Sequence, residues 1–178
     1  KLKNNLVKLP PRSEFLKLES SNPGSCLLII GESTAAGVGA TSTERTFASH
    51  IFKNLKEQFT IINIGENGLK AENLQSLFRK SEYEMPRNFS KTIILIGAND
   101  CFRFTPPGKF RTEIESFIHY LVLEKNVEKI TIPLIPPVQM FPGIPKILRF
   151  FLGWQWGILT GELEKWEMMV LVHLLLMK

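Results

Sequence analysis

Three short runs of apolar residues punctuate the first hundred positions: residues 26–30 (CLLII), 59–64 (FTIINI) and 92–96 (TIILI). Runs that short and continuous fit strands buried on both faces, which is the pattern of a parallel sheet. A fourth strand is expected over 127–134. Between the runs the polar and apolar positions change to a period near 3.6. Residues 43–55 (TERTFASHIFKNL), 71–80 (AENLQSLFRK) and 108–123 read as amphipathic helices, with Thr43 as the expected cap of the first. Alternating strands and helices predict an α/β chain, a three-layer α/β/α sandwich around a parallel sheet. Residues 1–23 read as an extended lead-in, because Pro10, Pro11 and Pro23 break any helix there, and residues 24–178 read as one domain.

The residues just beyond each run carry the chemistry. The first run stops at Gly31-Glu32-Ser33, the second is succeeded by Gly65, Asn67 and Gly68, and the third by Gly97-Ala98-Asn99-Asp100. Parallel strands deliver the residues after them to one edge of the sheet, where open α/β sheets place their ligands. A serine hydroxyl, a glycine N–H and an asparagine amide can then surround one carbonyl carbon, as acyl transfer requires. A phosphate-cradling loop or a flavin binder would come after a strand in the same way. Against it, no Lys-Ser or Lys-Thr closes the first loop, and its spacing is not Gly-x-Gly-x-x-Gly.

Composition narrows the class further. With 178 residues, 44% hydrophobic and 22% charged, the chain is long enough to bury a real core as one globular domain. Cys26 and Cys101 are expected at opposite ends of parallel strands, about 16 Å apart, too far for a disulfide. Neither has metal-ligand spacing. The net charge of +5 permits weak attraction to anionic surfaces. Basic residues are nevertheless spread along the chain, with a mild excess at Lys1, Lys3, Lys8, Arg12 and Lys17, so a solvated basic surface is favoured over nucleic-acid binding. The longest apolar stretch, residues 168–177, is too short to span a bilayer, and peripheral membrane contact stays open. The chain does not start with Met and shows no signal peptide, which suggests a fragment or a processed form and leaves the compartment open. After Ile135 comes a segment rich in Pro, Phe and Trp, PPVQMFPGIPKILRFFLGWQW. Large aromatics of this kind are expected to pack as core or over a sheet edge, with an apolar wall over an acyl or leaving group as the alternative.

The sequence resembles the SGNH, or GDSL-type, hydrolases, most of all a bacterial esterase and lipase branch that opens Gly-Asp-Ser-Thr-Ala-Ala-Gly-Val-Gly, here GESTAAGVGA. The similarity runs roughly over residues 24–166. It includes Gly97-Ala98-Asn99-Asp100, Ile135-Pro136-Pro137 and Phe141-Pro142-Gly143-Ile144-Pro145. The resemblance implies a parallel flavodoxin-like sheet and a serine esterase acting on small carboxylic esters through an acyl-serine, without metal or cofactor. Ser33 would be the nucleophile, with Gly68 and Asn99 joining the Ser33 N–H in the oxyanion hole. Glu32 stands where the family has an aspartate outside the triad, a change that bears on loop packing more than on chemistry. The rival reading is a non-catalytic relative that binds an acyl or glycan ligand without turnover.

The family's C-terminal Asp-Gly-x-His-Pro-Ser block, which supplies the base, is not found, and the domain is expected to be incomplete at this end. Of the three histidines, His50 and His119 fall within scaffold helices. His173 lies late in the chain as the family base does, but Val170 occupies the place of the acid and its neighbours are apolar, so a tail histidine without a role is favoured. The tail 167–178 is atypical. Two Met codons followed by a Val codon read Asp-Gly in the frame that begins at the last base of Met168. In that frame the triplet at the histidine place ends in GT, and the next two permit Pro-Ser. A tail read out of frame would leave this chain a poor hydrolase.

Overall fold

A computed structural model describes residues 10–21, 25–55 and 58–176, with side chains described as far as residue 165. Five strands form one sheet: β1 (Phe15–Leu18), β2 (Cys26–Gly31), β3 (Thr60–Gly65), β4 (Lys91–Leu95) and β5 (Lys129–Thr131). Their order is β1-β3-β2-β4-β5. β2 lies parallel to β3 and to β4, and β4 parallel to β5. Continuous apolar runs become strands here because both faces are covered. Leu28, Ile30, Ile62, Ile64 and Ile94 pack in one cluster with Phe78, Phe110 and Phe117, while Leu27, Ile29 and Ile61 pack in another with Ala48. Each such side chain stabilises the fold by about 1.5–3 kcal/mol relative to full exposure.

The first cluster draws its helical residues from α2 (Leu74–Ser81), α3 (Ala98–Phe102), α4 (Pro107–Lys125) and α5 (Lys146–Leu176), and the second from α1 (Phe47–Asn54). The expected three layers are therefore present, with helices on both faces of the sheet. The two cysteines are free thiols, as expected, with Cys26 opening β2 and Cys101 buried in the short helix α3 (Ala98–Phe102).

Four details differ from the sequence reading. The sheet is not wholly parallel, because residues 15–18 of the supposed lead-in pair antiparallel with β3, Phe15 opposite Ile64 and Leu18 opposite Ile61. The prolines that exclude a helix do not exclude an edge strand beyond them. Residues 1–9 and Pro23 lie outside the described residues. The helix expected from Thr43 begins as a 3-10 turn, Thr43–Arg45, and its cap is Thr46, whose hydroxyl accepts from the Ser49 N–H. The Thr43 carbonyl instead receives the hydroxyls of Thr46 and Ser49 at 2.8 and 2.7 Å. The fourth strand is shorter than expected, three residues, since Pro133 has no N–H to give a ladder.

The fourth difference concerns the aromatic segment. Ile135, Val138, Leu152, Leu159 and Leu163 do enter the core. Ile147, Phe150 and Trp154, however, are 73%, 75% and 62% exposed, and Leu148 and Phe151 are also on the surface. Residues 152, 155, 159 and 163 keep helical spacing along one side of α5 and fill the positions packed against α3, α4 and the turn at 138–140, so the apolar residues on its other side have nothing left to cover.

Candidate active site

The strand register sets the site. Gly31 at the end of β2 is level with Gly65 at the end of β3 and with Leu95 at the end of β4. Ser33, Gly68 and Asn99 therefore leave the same carboxyl edge within two to four residues of three adjacent strands. Side chains would obstruct this approach. A Cβ on Gly31 would stand 2.1 Å from the Leu95 carbonyl oxygen, and one on Gly65 would stand 2.0 Å from the Ala36 backbone nitrogen.

Buried carboxylates then bind the three loops to one another. Glu32 is buried, and its carboxylate accepts from the Ala98 N–H at 3.0 Å, the Asn99 N–H at 3.0 Å and the Asn99 side-chain amide at 2.6 Å. The residue before the candidate nucleophile thus grips the residue expected to supply an oxyanion donor. Burial pushes the Glu32 carboxyl above its ordinary range, and these three donors pull the other way. An amide nitrogen has two protons, so Asn99 can bond Glu32 with one and present the other to a ligand.

The loop carrying Gly68 is held at both ends. Its Glu66 N–H donates to the Gly31 carbonyl at 3.0 Å, and the Ala71 N–H donates to the Asp100 carboxylate at 3.0 Å. Gly68, between these anchors, is exposed and has a φ of +86°, a conformation that favours glycine. Asp100 is buried, and burial raises its carboxyl, opposed by the Thr105 side chain, the Ala71 N–H and Lys70. Next to it, burial and the neighbouring Asp100 and Glu32 charges push the Cys101 thiol up to about 12, so it stays protonated.

The Ser33 turn is anchored from its other side by β3 and the segment before β1. The Asn63 amide donates to the carbonyls of Ser13 at 2.6 Å and Ala35 at 3.0 Å. The Ser13 hydroxyl also donates to Ala35, at 2.6 Å, and the Arg12 and Ser13 N–H groups donate to Ala36. Within this frame Ser33 is partly buried and its carbonyl accepts from the Val38 N–H, giving a tight turn. Among the described residues, neither the Ser33 nor the Gly68 N–H donates to another protein group, which leaves both for a ligand oxygen.

The structure thus brings together the loops of Ser33, Gly68 and Asn99. It does not bring His50 or His119 to them as bonded partners: both are exposed, on α1 and α4. His173 falls within the last turns of α5, and its side chain lies outside the described residues, like the rest of the tail 167–178. Among the described residues no cluster of His, Cys, Asp and Glu could hold a metal ion. A cavity of about 730 Å³ lies away from this edge, at the amino ends of the strands, lined by Ser25, Cys26, Thr60 and Ser90 among others. Sequence reasoning gave no role to Asp100, Asn63 or Ser13. Asn63 had a signal, a polar residue inside an apolar strand; Ser13 had none.

Comparison with known proteins finds a matching family and similar folds. The model of the GDSL-like lipase/acylhydrolase family matches residues 27–170. The fold is similar to that of Axe2, an acetylxylan esterase from Geobacillus stearothermophilus, at 16% identity and a TM-score of 0.57, covering 81% of this chain and 74% of that one. A lipolytic G-D-S-L family member from Veillonella parvula aligns at 12% identity and a TM-score of 0.62, over 80% and 72% of the two chains. A carbohydrate acetylesterase family member from Sinorhizobium meliloti aligns at 18% and 0.61, over 79% and 77%. At such identities it is the fold that is shared. No curated protein matches the chain.

Proposed function

The chain belongs to the GDSL-like lipase/acylhydrolase family, which supports a carboxylic ester hydrolase in general, and from that premise we propose that it cleaves small carboxylic esters through an acyl-Ser33 intermediate. The observation that supports the reading is the clamp formed by Glu32, next to Ser33, whose carboxylate accepts from the Asn99 N–H and from the Asn99 side-chain amide.

In the proposed reaction the Ser33 hydroxyl oxygen attacks the acyl carbon and its proton passes to a base. The carbonyl oxygen becomes an oxyanion facing the N–H groups of Ser33 and Gly68 and the amide of Asn99, donors that are already oriented before charge develops. Collapse expels the alcohol, which takes up the proton, and water then attacks the acyl-serine to release the acid and free serine. An imidazole is the usual base in such a site. His173→Ala tests whether this chain uses its own: full retention of turnover removes His173 from the mechanism.

The test of the proposal is a fluorophosphonate probe together with p-nitrophenyl acetate. Labelling that maps to Ser33 and is lost in Ser33→Ala, with ester turnover, is the expected result. Folded protein that neither labels nor turns over contradicts it, and would favour a relative that binds an acyl or glycan ligand without chemistry.

A further inference from the structure

The first half of α5 carries two apolar stripes, and only one of them is used by the core. Leu152, Leu159 and Leu163 are buried on one side, with the polar Gln155 among them. Ile147, Phe150, Phe151 and Trp154 keep the i, i+3, i+4, i+7 spacing of a second stripe and stand in solvent. The turn before the helix extends this surface, with Met140 69% exposed and Phe141 also exposed. Side chains of this size together present several hundred Å² of apolar area, on the order of what marks an interaction surface.

The charge along this stretch of the chain is one-sided. From Lys129 to Gly161 the chain contains no Asp or Glu, while Lys146 and Arg149 lie exposed in the first turn of α5. The Arg149 Nε donates to the Ile144 carbonyl at 3.1 Å, which pins its stem beside the stripe. The surface also adjoins the candidate active site. The Phe141 ring lies 6.1 Å from Phe102 in α3, the helix that begins with Ala98 and Asn99, and the Gln155 amide donates to the Thr105 carbonyl just beyond that helix. Phe104, exposed, stands between these two contacts in sequence.

We infer that the turn 140–142 and the first half of α5 form a docking surface for an anionic lipid surface. Large apolar side chains with cations and no carboxylates in the same stretch of chain suit the boundary between acyl chains and phosphate headgroups, where Trp and Phe are also favoured. A second copy of the chain fits less well, because two such faces would bring Lys146 and Arg149 toward their own counterparts without an intervening acid. Among the described residues no helix is long and apolar enough to cross a membrane, so the contact is peripheral. It places the carboxyl edge of the sheet near the lipid surface.

The test is co-sedimentation with vesicles of phosphatidylcholine alone and of a two-to-one mixture of phosphatidylcholine and phosphatidylglycerol. Binding is read without turnover, so an inactive Ser33 site leaves the experiment intact. The mixed vesicles should bind roughly tenfold more tightly than the neutral ones, and added salt should remove that preference. Phe150→Asp with Trp154→Asp should weaken binding to both by roughly tenfold or more, and Lys146→Glu with Arg149→Glu should abolish the preference for the anionic mixture. If the aspartate pair fails to fold, Ile147→Ser with Phe151→Ser serves instead, with circular dichroism as the check. Absence of binding to either vesicle, or binding unchanged in the stripe variants, overturns the inference. So does a sedimenting dimer that the stripe variants dissociate, since a second copy would then cover this face.

Discussion

The carboxyl edge of the sheet and the first half of α5 are held in opposite ways. At the sheet edge almost every fixed point is polar and buried: Glu32, Asp100 and Asn63 each bond backbone groups of a different loop. Along α5, large apolar residues lie in the open, and among the described residues the buried stripe is the one packed on α3, α4 and the turn at 138–140. Convergence of three loops needs directional bonds, because small residues such as Gly31 and Gly65 bring backbones close but cannot choose among arrangements. A helix face needs no direction, and its exposed half is free to meet a partner.

The largest test of the contrast removes a directed group from the edge. If the chain is active, Asn99→Ala should lower kcat by roughly 10²-fold or more with little change in KM, the mark of a donor used in the transition state. An unchanged kcat would reduce Asn99 to a loop anchor for Glu32.

Gly65→Ala attacks the close approach itself. Its new methyl would press on the Ala36 backbone, which cannot move without unseating the Ser33 turn. A loss of about 3 kcal/mol or more in denaturant unfolding is expected, and a near-neutral result would mean the turn is looser than its packing implies.

On α5 two truncations should separate cleanly. Leu159→Ala, fully buried, should cost about 2–3 kcal/mol, whereas Phe150→Ala, three-quarters exposed, should change stability by less than about 0.5 kcal/mol. Equal losses would place Phe150 in a core after all and remove the exposed stripe.

The smallest effect is one of slope. Burial raises the Asp100 carboxyl above its ordinary 3.8, so in the window between that value and the raised one the folded chain holds more protons than the unfolded one. Stability should then fall as pH rises through the window. Asp100→Asn keeps an acceptor for the Ala71 N–H and cannot titrate, so urea midpoints across acid to neutral pH should decline less steeply. Glu32, raised in the same direction, should keep part of the decline. An unaltered slope would mean that the Asp100 carboxyl titrates alike in the folded and the unfolded chain.

Much of this was legible in the sequence because it rests on local pattern. Short apolar runs ending in glycine gave the three central strands and the edge where Ser33, Gly68 and Asn99 emerge. The features that were not legible depend on partners distant in sequence. β1 is an alternating segment after two prolines, and only its pairing with β3 makes it a strand. Asp100 looks like part of a motif, and its tie to Ala71 exists only once the loops meet. In the aromatic run after Ile135, the tendency of large aromatics to pack cannot say that a helix has one face more than the core can use.

Everything proposed for the site requires that Ser33, Gly68 and Asn99 address a single acyl oxygen. A structure of the protein after reaction with a fluorophosphonate measures it directly. The expected adduct has phosphorus on the Ser33 oxygen, with the phosphonyl oxygen about 3 Å from the N–H groups of Ser33 and Gly68 and from the Asn99 amide nitrogen. A phosphonyl oxygen turned away from Gly68 and Asn99, or an adduct on another residue, would contradict it.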